Sequence, residues 1–485
     1  MDGNQSVSSS LINGQFVSAP WRSSGKSMVA MGLARCAYRL GHDVQTFKKG
    51  PDYIDPMWLK AASHQPCFNL DPYIQQPEEL GRLFAQHASG VTVVEGTMGL
   101  HDGLAVDGSD SNAAIAHTLG LPVVLVVDCR GMHRTIAALV NGLTQFDNSI
   151  EFSGVILNRL RSLRHSQKIE SAVNRYCDIP ILGAIAENEA LMLREQELGL
   201  IPAAEHAATG EYIDSVADEL SASCNLDSLL QENMPKPVAE LDSVNLSTGK
   251  KLPSAINTKG VNSSPKPLQI GVAKDEAFHF YYEDDLQELK NRGVSLVEFS
   301  PIKDRLPANL DGLLLGGGFP ERFAQPLSDN VRCREAIANE IKNGLVVRAE
   351  CGGLIYLCRS LALDNVLWPM VGVVDGVAKL HRKPLGRGYM KLQHAHRGPF
   401  EGTQNDSMAA HEFHHASIDF AKPPECRFRV LRGHGLDGKT DGVVVYNSLA
   451  SFAHMRHSEA TPWIDWFLES IRNNGQTHEQ AAYHV

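Results

Sequence analysis

From residue 14 to about residue 220, short apolar and β-branched runs alternate with segments of helix length. INGQFVSA, GVTVVEG, PVVLVVD, FSGVILN and IPILGAI are each bounded by Gly, Pro, Asn or Asp, the residues that punctuate strands. A run such as PVVLVV has no polar face, so it predicts a strand buried on both sides in a parallel sheet covered by helices. KSMVAMGLARCAYRLG, closing on Gly41, predicts the helix that follows the first strand. A second alternation begins near residue 268, with LQIGVAKD, VSLVEFS, DGLLLGGG and GLVVRAEC as strands, EDDLQELKNRG as a helix and a last helix around ATPWIDWFLESIRN. Between the two, residues 222–267 are rich in Ser, Asn, Lys and Pro and show little periodicity, the pattern of a linker. The predicted organisation is a disordered tail (1–13), an α/β domain (14–221), the linker (222–267) and a second α/β domain (268–485). Each domain is expected to be doubly wound on a mainly parallel sheet.

Composition narrows the function classes. The chain of 485 residues is 43% hydrophobic and 21% charged, ordinary for a soluble globular protein. No apolar run approaches the ~20 residues of a membrane span, and the N-terminus lacks the basic and apolar regions of a secretory signal. The nine cysteines are scattered, with no C-x-x-C pair, which favours reduced thiols and a cytoplasmic home. A formal charge of −11, with no Lys/Arg-rich block, disfavours nucleic acid as a partner. An acidic small molecule stays open, because it needs only a local basic pocket.

Chemistry concentrates at predicted strand ends. SAPWRSSGKSMV carries Gly25-Lys26-Ser27, the second half of the G-x-x-x-x-G-K-[ST] phosphate loop, but Pro20 stands where the first glycine would be. Such a turn presents free backbone N–H groups and a lysine charge to phosphate; an ordinary strand-to-helix turn is the alternative. Asp52 and Asp55 lie just past another strand, and Glu95 ends GVTVVEG ahead of His101 and Asp102. Beside a GKS turn these acids suit a metal–nucleotide site, since Mg²⁺ takes hard oxygens and one or two carboxylates besides phosphate. The same residues would serve as turn formers around Pro51 and Pro56, with Glu95 as a helix cap.

In the second half, GLVVRAECGGLIYL runs a strand into Cys351-Gly352-Gly353 and an apolar helix. This is a cysteine form of the nucleophile elbow, and a helix N-terminus there is expected to lower the thiol pKa. Gly317 and Gly318 of DGLLLGGGFPE, with Gly352, are candidates for an oxyanion hole. A nucleophilic cysteine needs a base, and LASFAHMRHS offers His454 and His457. HEFHH, with His411, His414 and His415, is not H-E-x-x-H, and no Cys or Asp cluster supports it as a zinc site; substrate contact or packing is the expectation.

FKKGPDYIDPMWL, VVEGTMGLHDG, LLLGGGFPE, AECGGLIYL, HEFHHASI and LASFAHMRH, in this order, resemble the cobyrinic acid a,c-diamide synthase family over nearly the whole chain. The resemblance implies an ATPase domain of the dethiobiotin-synthetase type joined to a flavodoxin-like class I glutamine amidotransferase domain. It implies a carbon–nitrogen ligase that amidates acetate side chains of a tetrapyrrole polycarboxylate, with L-glutamine as amide donor and ATP and Mg²⁺ required. A homodimer is compatible with it. By motif, Gly25, Lys26 and Ser27 would hold ATP phosphates, Ser27, Asp52 and Glu95 the metal, and Asn158 the adenine side. Tyr53, Asp55 and Asp102 would handle substrate; Cys351 would be the glutaminase nucleophile and His454 its base. Relatives that amidate siroheme share the FKKGPDYIDPMWL and LASFAHMRH wording, so the macrocycle stays open. A nucleotide-switch ATPase of the partitioning type is a further alternative for the first half alone, but residues 18–24 lack its additional lysine and it has no use for a Cys-Gly-Gly elbow. Two departures stand out. Ser23 occupies a position where the loop usually has glycine, and His454 is not followed two residues later by the acid common in class I amidotransferases.

Overall fold

The computed structural model describes residues 13–191, 195–196, 199–200, 209–230, 267–395 and 407–482. The chain divides into two compact units, Met1–Gly260 and Val261–Val485. Most of the expected tail and residues 231–266 of the expected linker lie outside the described residues.

The first unit is built on seven strands: β1 (Asn13–Ser18), β2 (Val44–Lys49), β3 (Cys67–Leu70), β4 (Val91–Glu95), β5 (Val123–Asp128), β6 (Phe152–Leu160) and β7 (Ile181–Ala186). Their order is β3-β2-β4-β1-β5-β6-β7, and every pairing is parallel. Helices α1 (Lys26–Arg39), α2 (Ile54–Ser63), α3 (Pro77–His87), α4 (Asn112–Leu119), α5 (Thr135–Gln145) and α6 (Leu163–Tyr176) are the crossovers that parallel strands require. β5 is buried along its whole length, as its unbroken apolar run predicts. A two-residue pair, β8 (Glu195–Gln196) with β9 (Gly199–Leu200), follows.

Two helices then close the unit, α7 (Thr209–Ser223) and α8 (Leu226–Leu230). They correct the boundary expected at residue 222. α7 packs on α1, and the α8 residue Leu229 is buried while its carbonyl accepts a hydrogen bond from Gln15 Nε2 at 3.2 Å. The short apolar stretch NLDSLL is diluted by polar residues in the sequence, yet its leucines find a groove beside β1.

The second unit has a nine-stranded sheet. In chain order its strands are β10 (Gln269–Ala273), β11 (Ser295–Phe299), β12 (Gly312–Leu315), β13 (Val346–Glu350), β17 (Gly386–His394), β18 (Ser407–His414), β20 (Cys426–Arg432), β21 (Thr440–Val445) and β22 (Ser448–Ser451). A second sheet holds β14 (Cys358–Leu363), β15 (Val366–Pro369), β16 (Val374–Leu380) and β19 (Ala416–Phe420). Five strands, β11-β10-β12-β13-β22, form a parallel set in the order 2-1-3-4-5 typical of flavodoxin-like folds. To it the chain adds an antiparallel extension, β21-β20-β17-β18. Helices α9 (Glu283–Asn291), α10 (Ala324–Asp329), α11 (Val331–Lys342), α12 (Gly352–Leu357) and α13 (Trp463–Ala482) complete the unit. No helix among the described residues is long and apolar enough to cross a membrane.

The packing of α8 generates a test of the boundary. Leu229→Asp in the full chain places a carboxylate in an apolar groove and should lower unfolding stability by about 3 kcal/mol. Urea denaturation reads it; a midpoint equal to that of the parent chain would return residues 224–230 to the linker.

Candidate active sites

In the first unit the chemistry sits at the carboxyl edge of the parallel sheet, where open α/β folds bind ligands. β1 ends at Ser18, and the chain turns through Pro20-Trp21-Arg22-Ser23-Ser24 into α1, whose N-cap is Gly25. Gly25 has φ 104°, and a Cβ there would lie 2.1 Å from Asn158 Nδ2, so the position needs glycine on both counts. Ser23 also has positive φ, 55°. This is the place where the loop usually carries glycine, and the turn is held from β6 instead. Arg159 Nη1 donates to Ser23 O at 2.6 Å, and Asn158 Nδ2 donates to Ser24 O at 2.9 Å. Pro20 leaves the turn intact, because Leu100 N donates to Ala19 O just before it.

Register brings the acids to this turn. Glu95, the last residue of β4, pairs with Val17 of β1 and with Lys48 of β2. Ser27 Oγ donates to Glu95 Oε1 at 2.6 Å, and Lys48 Nζ donates to the same oxygen at 2.8 Å. Lys48 also pairs with Asp55 Oδ2 at 2.6 Å. Burial alone would push the Lys48 pKa down, but Asp55 and Glu95 hold it above the ordinary lysine value. Lys26 goes the other way: burial and then the Lys48 charge push it down to about 8, while its Nζ donates to Trp21 O at 3.1 Å. Burial, with Asp55 beside it, pushes Asp52 up to about 7. The same two causes raise Glu95.

The other candidates fall around this core. Asp52 Oδ1 accepts from the N–H groups of Ile54 and Asp55 and so caps α2. Tyr53 is the N-cap residue of α2 and is buried. Asp102 Oδ2 accepts from Gly99 N at 3.0 Å, shaping its own loop. Asn112, fully buried, donates to Ser18 Oγ, Thr97 O and Gly99 O and ties that loop to β1. A cleft of about 380 Å³ lined by Trp21, Asp128, Arg130, Gly131 and Arg161 lies beside the turn.

Among the described residues, no cluster of three or more His, Cys, Asp or Glu side chains is arranged to hold a metal by itself. The donor set nevertheless suits Mg²⁺ shared with phosphate. Ser27 Oγ, Glu95 and Asp52 are hard oxygens, and Glu95 Oε2 is buried without a hydrogen-bond partner.

In the second unit, the ends of three neighbouring parallel strands converge. β12 leads into Gly316-Gly317-Gly318, β13 into Cys351, and β22 into the segment that carries His454. Cys351 has φ 47° and ψ −99°, a strained elbow pinned by its N–H to Ser451 O at 2.7 Å. Gly317 lies against the His454 ring, where a Cβ would come within 2.5 Å of Cε1. Gly352, the residue after Cys351, also packs against this loop: a Cβ there would meet Gly318 N at 3.1 Å. The expected lowering of the thiol pKa does not occur. α12 is a single short helix, Cys351 is buried, and burial with the charge of Glu321 pushes the thiol up.

His454 is fixed from several sides. Its backbone forms a reciprocal bridge with His411, His454 N to His411 O at 2.8 Å and His411 N to His454 O at 3.1 Å. The two rings stack 4.8 Å apart at 15°. Its Nδ1 lies 3.6 Å from Glu350 Oε2. His457, the other candidate base, donates its N–H to Asp285 and contacts Arg292, which makes it part of the α9 packing. His414 stacks on Phe452 with Nδ1 against Ala416 O, and His415 Nδ1 meets His381 O. The HEFHH histidines therefore point to separate partners, and His411 is the one that stacks on His454. Lys48, Asn112, His411 as a ring partner, and Glu350 are the neighbours that sequence reasoning did not single out.

Two family comparisons cover the two units. Residues 23–200 match the CobQ/CobB/MinD/ParA nucleotide binding domain, and residues 269–461 match the CobB/CobQ-like glutamine amidotransferase domain. A nucleotide-binding unit and a glutamine amidotransferase unit in one chain define an ATP-dependent amide ligase that uses glutamine. Full-length relatives narrow the class. The cobyrinate a,c-diamide synthase of Magnetococcus marinus is 36% identical over 464 residues, 95% of this chain and 97% of that protein. The hydrogenobyrinate a,c-diamide synthase of Brucella abortus is 37% identical over 452 residues, 92% and 98% of the two chains. The Listeria innocua cobyrinate enzyme is 34% identical over 92% of this chain and 96% of its own. The chain belongs to the cobyrinate/hydrogenobyrinate a,c-diamide synthase family.

The geometry of the turn generates a paired expectation. Lys26→Ala and Gly25→Ala should each lower ATP-dependent amidation by about 10²-fold or more, the first by removing a charge and the second by forcing the turn off Asn158. Glutamine hydrolysis should survive in part in both, since those residues lie in the other unit. Amidation at the parent rate in Lys26→Ala would move the ATP site elsewhere.

Proposed function

We propose that the protein amidates the a- and c-acetate carboxylates of a cobyrinate-type corrinoid, using ATP to activate each carboxylate and glutamine to supply the nitrogen. Likeness to named a,c-diamide synthases along nearly the whole length of the chain carries the reading; the placement of Lys26, Ser27, Glu95, Cys351 and His454 supports it.

A carboxylate resists amines because its oxygen is a poor leaving group. Transfer of the ATP γ-phosphoryl group to a carboxylate oxygen forms an acyl phosphate and releases ADP, a reaction governed by positioning and charge stabilisation. The backbone N–H groups of the Gly25 turn and the Lys26 ammonium are assigned to the phosphates, and the cleft beside Trp21 to the base. Ser27, Glu95 and Asp52 would hold Mg²⁺, whose charge offsets that of the phosphates. Lys48, paired with Asp55 and Glu95, sets a fixed positive charge between those carboxylates at the edge of the proposed metal site.

In the other unit, Cys351 Sγ attacks the side-chain carbonyl carbon of glutamine. His454 takes the thiol proton and returns it to the departing nitrogen, leaving a thioester and ammonia. Water then cleaves the thioester to glutamate. The Gly317-Gly318 and Gly352 backbone is assigned to the carbonyl oxygen as it gains charge. Ammonia attacks the acyl phosphate carbon, and phosphate leaves. It must stay out of bulk water on the way, because protonation would remove its lone pair.

Incubation with ATP, Mg²⁺ and glutamine, followed by mass spectrometry, should show two successive amidations of cobyrinate. The parallel arms contain hydrogenobyrinate and siroheme. Conversion of siroheme alone would overturn the corrinoid assignment. Cys351→Ala should abolish glutamine-dependent amidation and leave the ammonia-supported reaction largely intact; loss of both in a folded variant would defeat the division of labour between the units.

A further inference from the structure

The glutaminase centre shows a histidine base with no acid two residues after it, His454-Met455-Arg456. Arg456 is committed elsewhere: it donates to Asp284 Oδ2 and lies 5.1 Å over the Tyr282 ring. An imidazole that shuttles a proton needs one nitrogen fixed, so that the other presents its lone pair to the thiol. The carboxylate that meets Nδ1 of His454 is Glu350, the residue immediately before the nucleophile.

We propose that Glu350 is the positioning carboxylate of this centre, supplying from the end of β13 what other class I amidotransferases place after the histidine. The proposal rests on the glutamine-using reading of the second unit and deepens it.

The two carboxylate oxygens divide their work. Oε1 accepts from Arg348 Nη2 at 2.6 Å and from Met455 N at 3.3 Å. Oε2 faces His454 Nδ1 at 3.6 Å, a charge-pair distance that a catalytic hydrogen bond can shorten when substrate arrives. Arg348 and Glu350 are two apart on β13, so their side chains share a face of the strand. The Arg348 guanidinium is itself stacked 4.5 Å over Trp463, so the acid is held by a clamped cation. Burial would push the Glu350 carboxyl up, yet Arg348 and His454 hold it below the usual carboxylate value, consistent with an ionised acid.

Register makes the contact a consequence of the fold. Glu350 pairs with Ser451 across β13 and β22, and Ser451 Oγ donates to Ala453 O in the turn that leads to His454. Asp441 accepts from Phe452 N and Ala453 N and fixes that turn from β21. On its opposite flank the His454 ring is stacked by His411, whose Nδ1 meets Tyr282 Oη at 3.2 Å. Nucleophile, carboxylate and base thus come from two adjacent strand ends, and the acid and the nucleophile are consecutive residues.

The test compares Glu350→Gln and Glu350→Asp in the full-length enzyme. Glu350→Gln keeps the shape and removes the charge. Glutamine hydrolysis should lose roughly 10–100-fold in kcat with KM for glutamine unchanged within twofold. Amidation supported by ammonium salt should stay at the parent level, which shows that the variant is folded and its ATP site works. Glu350→Asp should recover part of the lost kcat. Parent-like kcat in Glu350→Gln, a loss confined to KM, or loss of ammonia-supported amidation as well would each overturn the assignment. Absence of corrinoid amidation in the parent enzyme, with glutamine hydrolysis intact, would instead count against the proposed substrate and leave the role of Glu350 to be read from the hydrolysis alone.

Discussion

In a parallel sheet every strand ends at the same edge, so residues just past neighbouring strand ends meet at one level. Both candidate centres of this protein are built from that constraint. Glu95 closes β4 beside Val17 of β1 and Lys48 of β2, which is why an acid, a lysine and the Gly25 turn share one corner. Glu350 closes β13 beside Ser451 of β22, which sets Cys351 next to the segment bearing His454. Specific side-chain pairings fix the register, because a slip of one residue would turn Lys48 and Glu95, or Arg348 and Glu350, to the other face of the sheet.

Charge is organised differently at the two edges. Around Ser27, Lys26, Lys48 and Glu95 are buried beside the half-buried Asp52 and Asp55, and Lys48 is the member with direct partners on two sides. A buried pair of this kind contributes little net stability, since desolvation offsets much of the attraction. Its value lies in having charges already placed where phosphate and a cation would need them, with no rearrangement at the moment of reaction. Around Cys351 the thiol is buried and pushed toward its neutral form, while Arg348 and Glu350 form the ionic pair behind His454.

Much of this was legible in the sequence where physics leaves a local trace. Continuous apolar runs announce strands buried on both faces, and β1, β4, β5, β10, β12 and β13 lie where such runs stand. Gly25, Lys26, Ser27 and Cys351 belong to turns whose glycines are dictated by backbone geometry. β17 and β20 were not singled out: GRGYMKLQH and CRFRVLR alternate charged and apolar residues, a half-buried strand pattern that a search for unbroken apolar runs passes over. Lys48 was hidden for a related reason. A lysine inside a strand is expected to reach for solvent, and only the pairing of β2 with β4 turns it onto Glu95. Glu350 was missed because the family habit looks for an acid after the histidine, while cross-strand register, invisible in one dimension, supplies it beside the cysteine.

The state of the thiol explains why so much structure surrounds one histidine. An exposed cysteine at a long helix N-terminus would ionise by itself and tolerate a loosely held base. Cys351 is buried beside the charge of Glu321, and its thiol is pushed toward the neutral form. In the proposed mechanism the thiolate forms as the proton passes to His454, and a ring held in one plane with one nitrogen presented serves that step. The His411 stack, the reciprocal backbone bridge, the Gly317 contact that excludes any side chain and the Glu350 carboxylate each remove a different freedom of the ring. The strained backbone at Cys351, about 1–3 kcal/mol at such a conformation, is sustained by the sheet pairing that brings these constraints together.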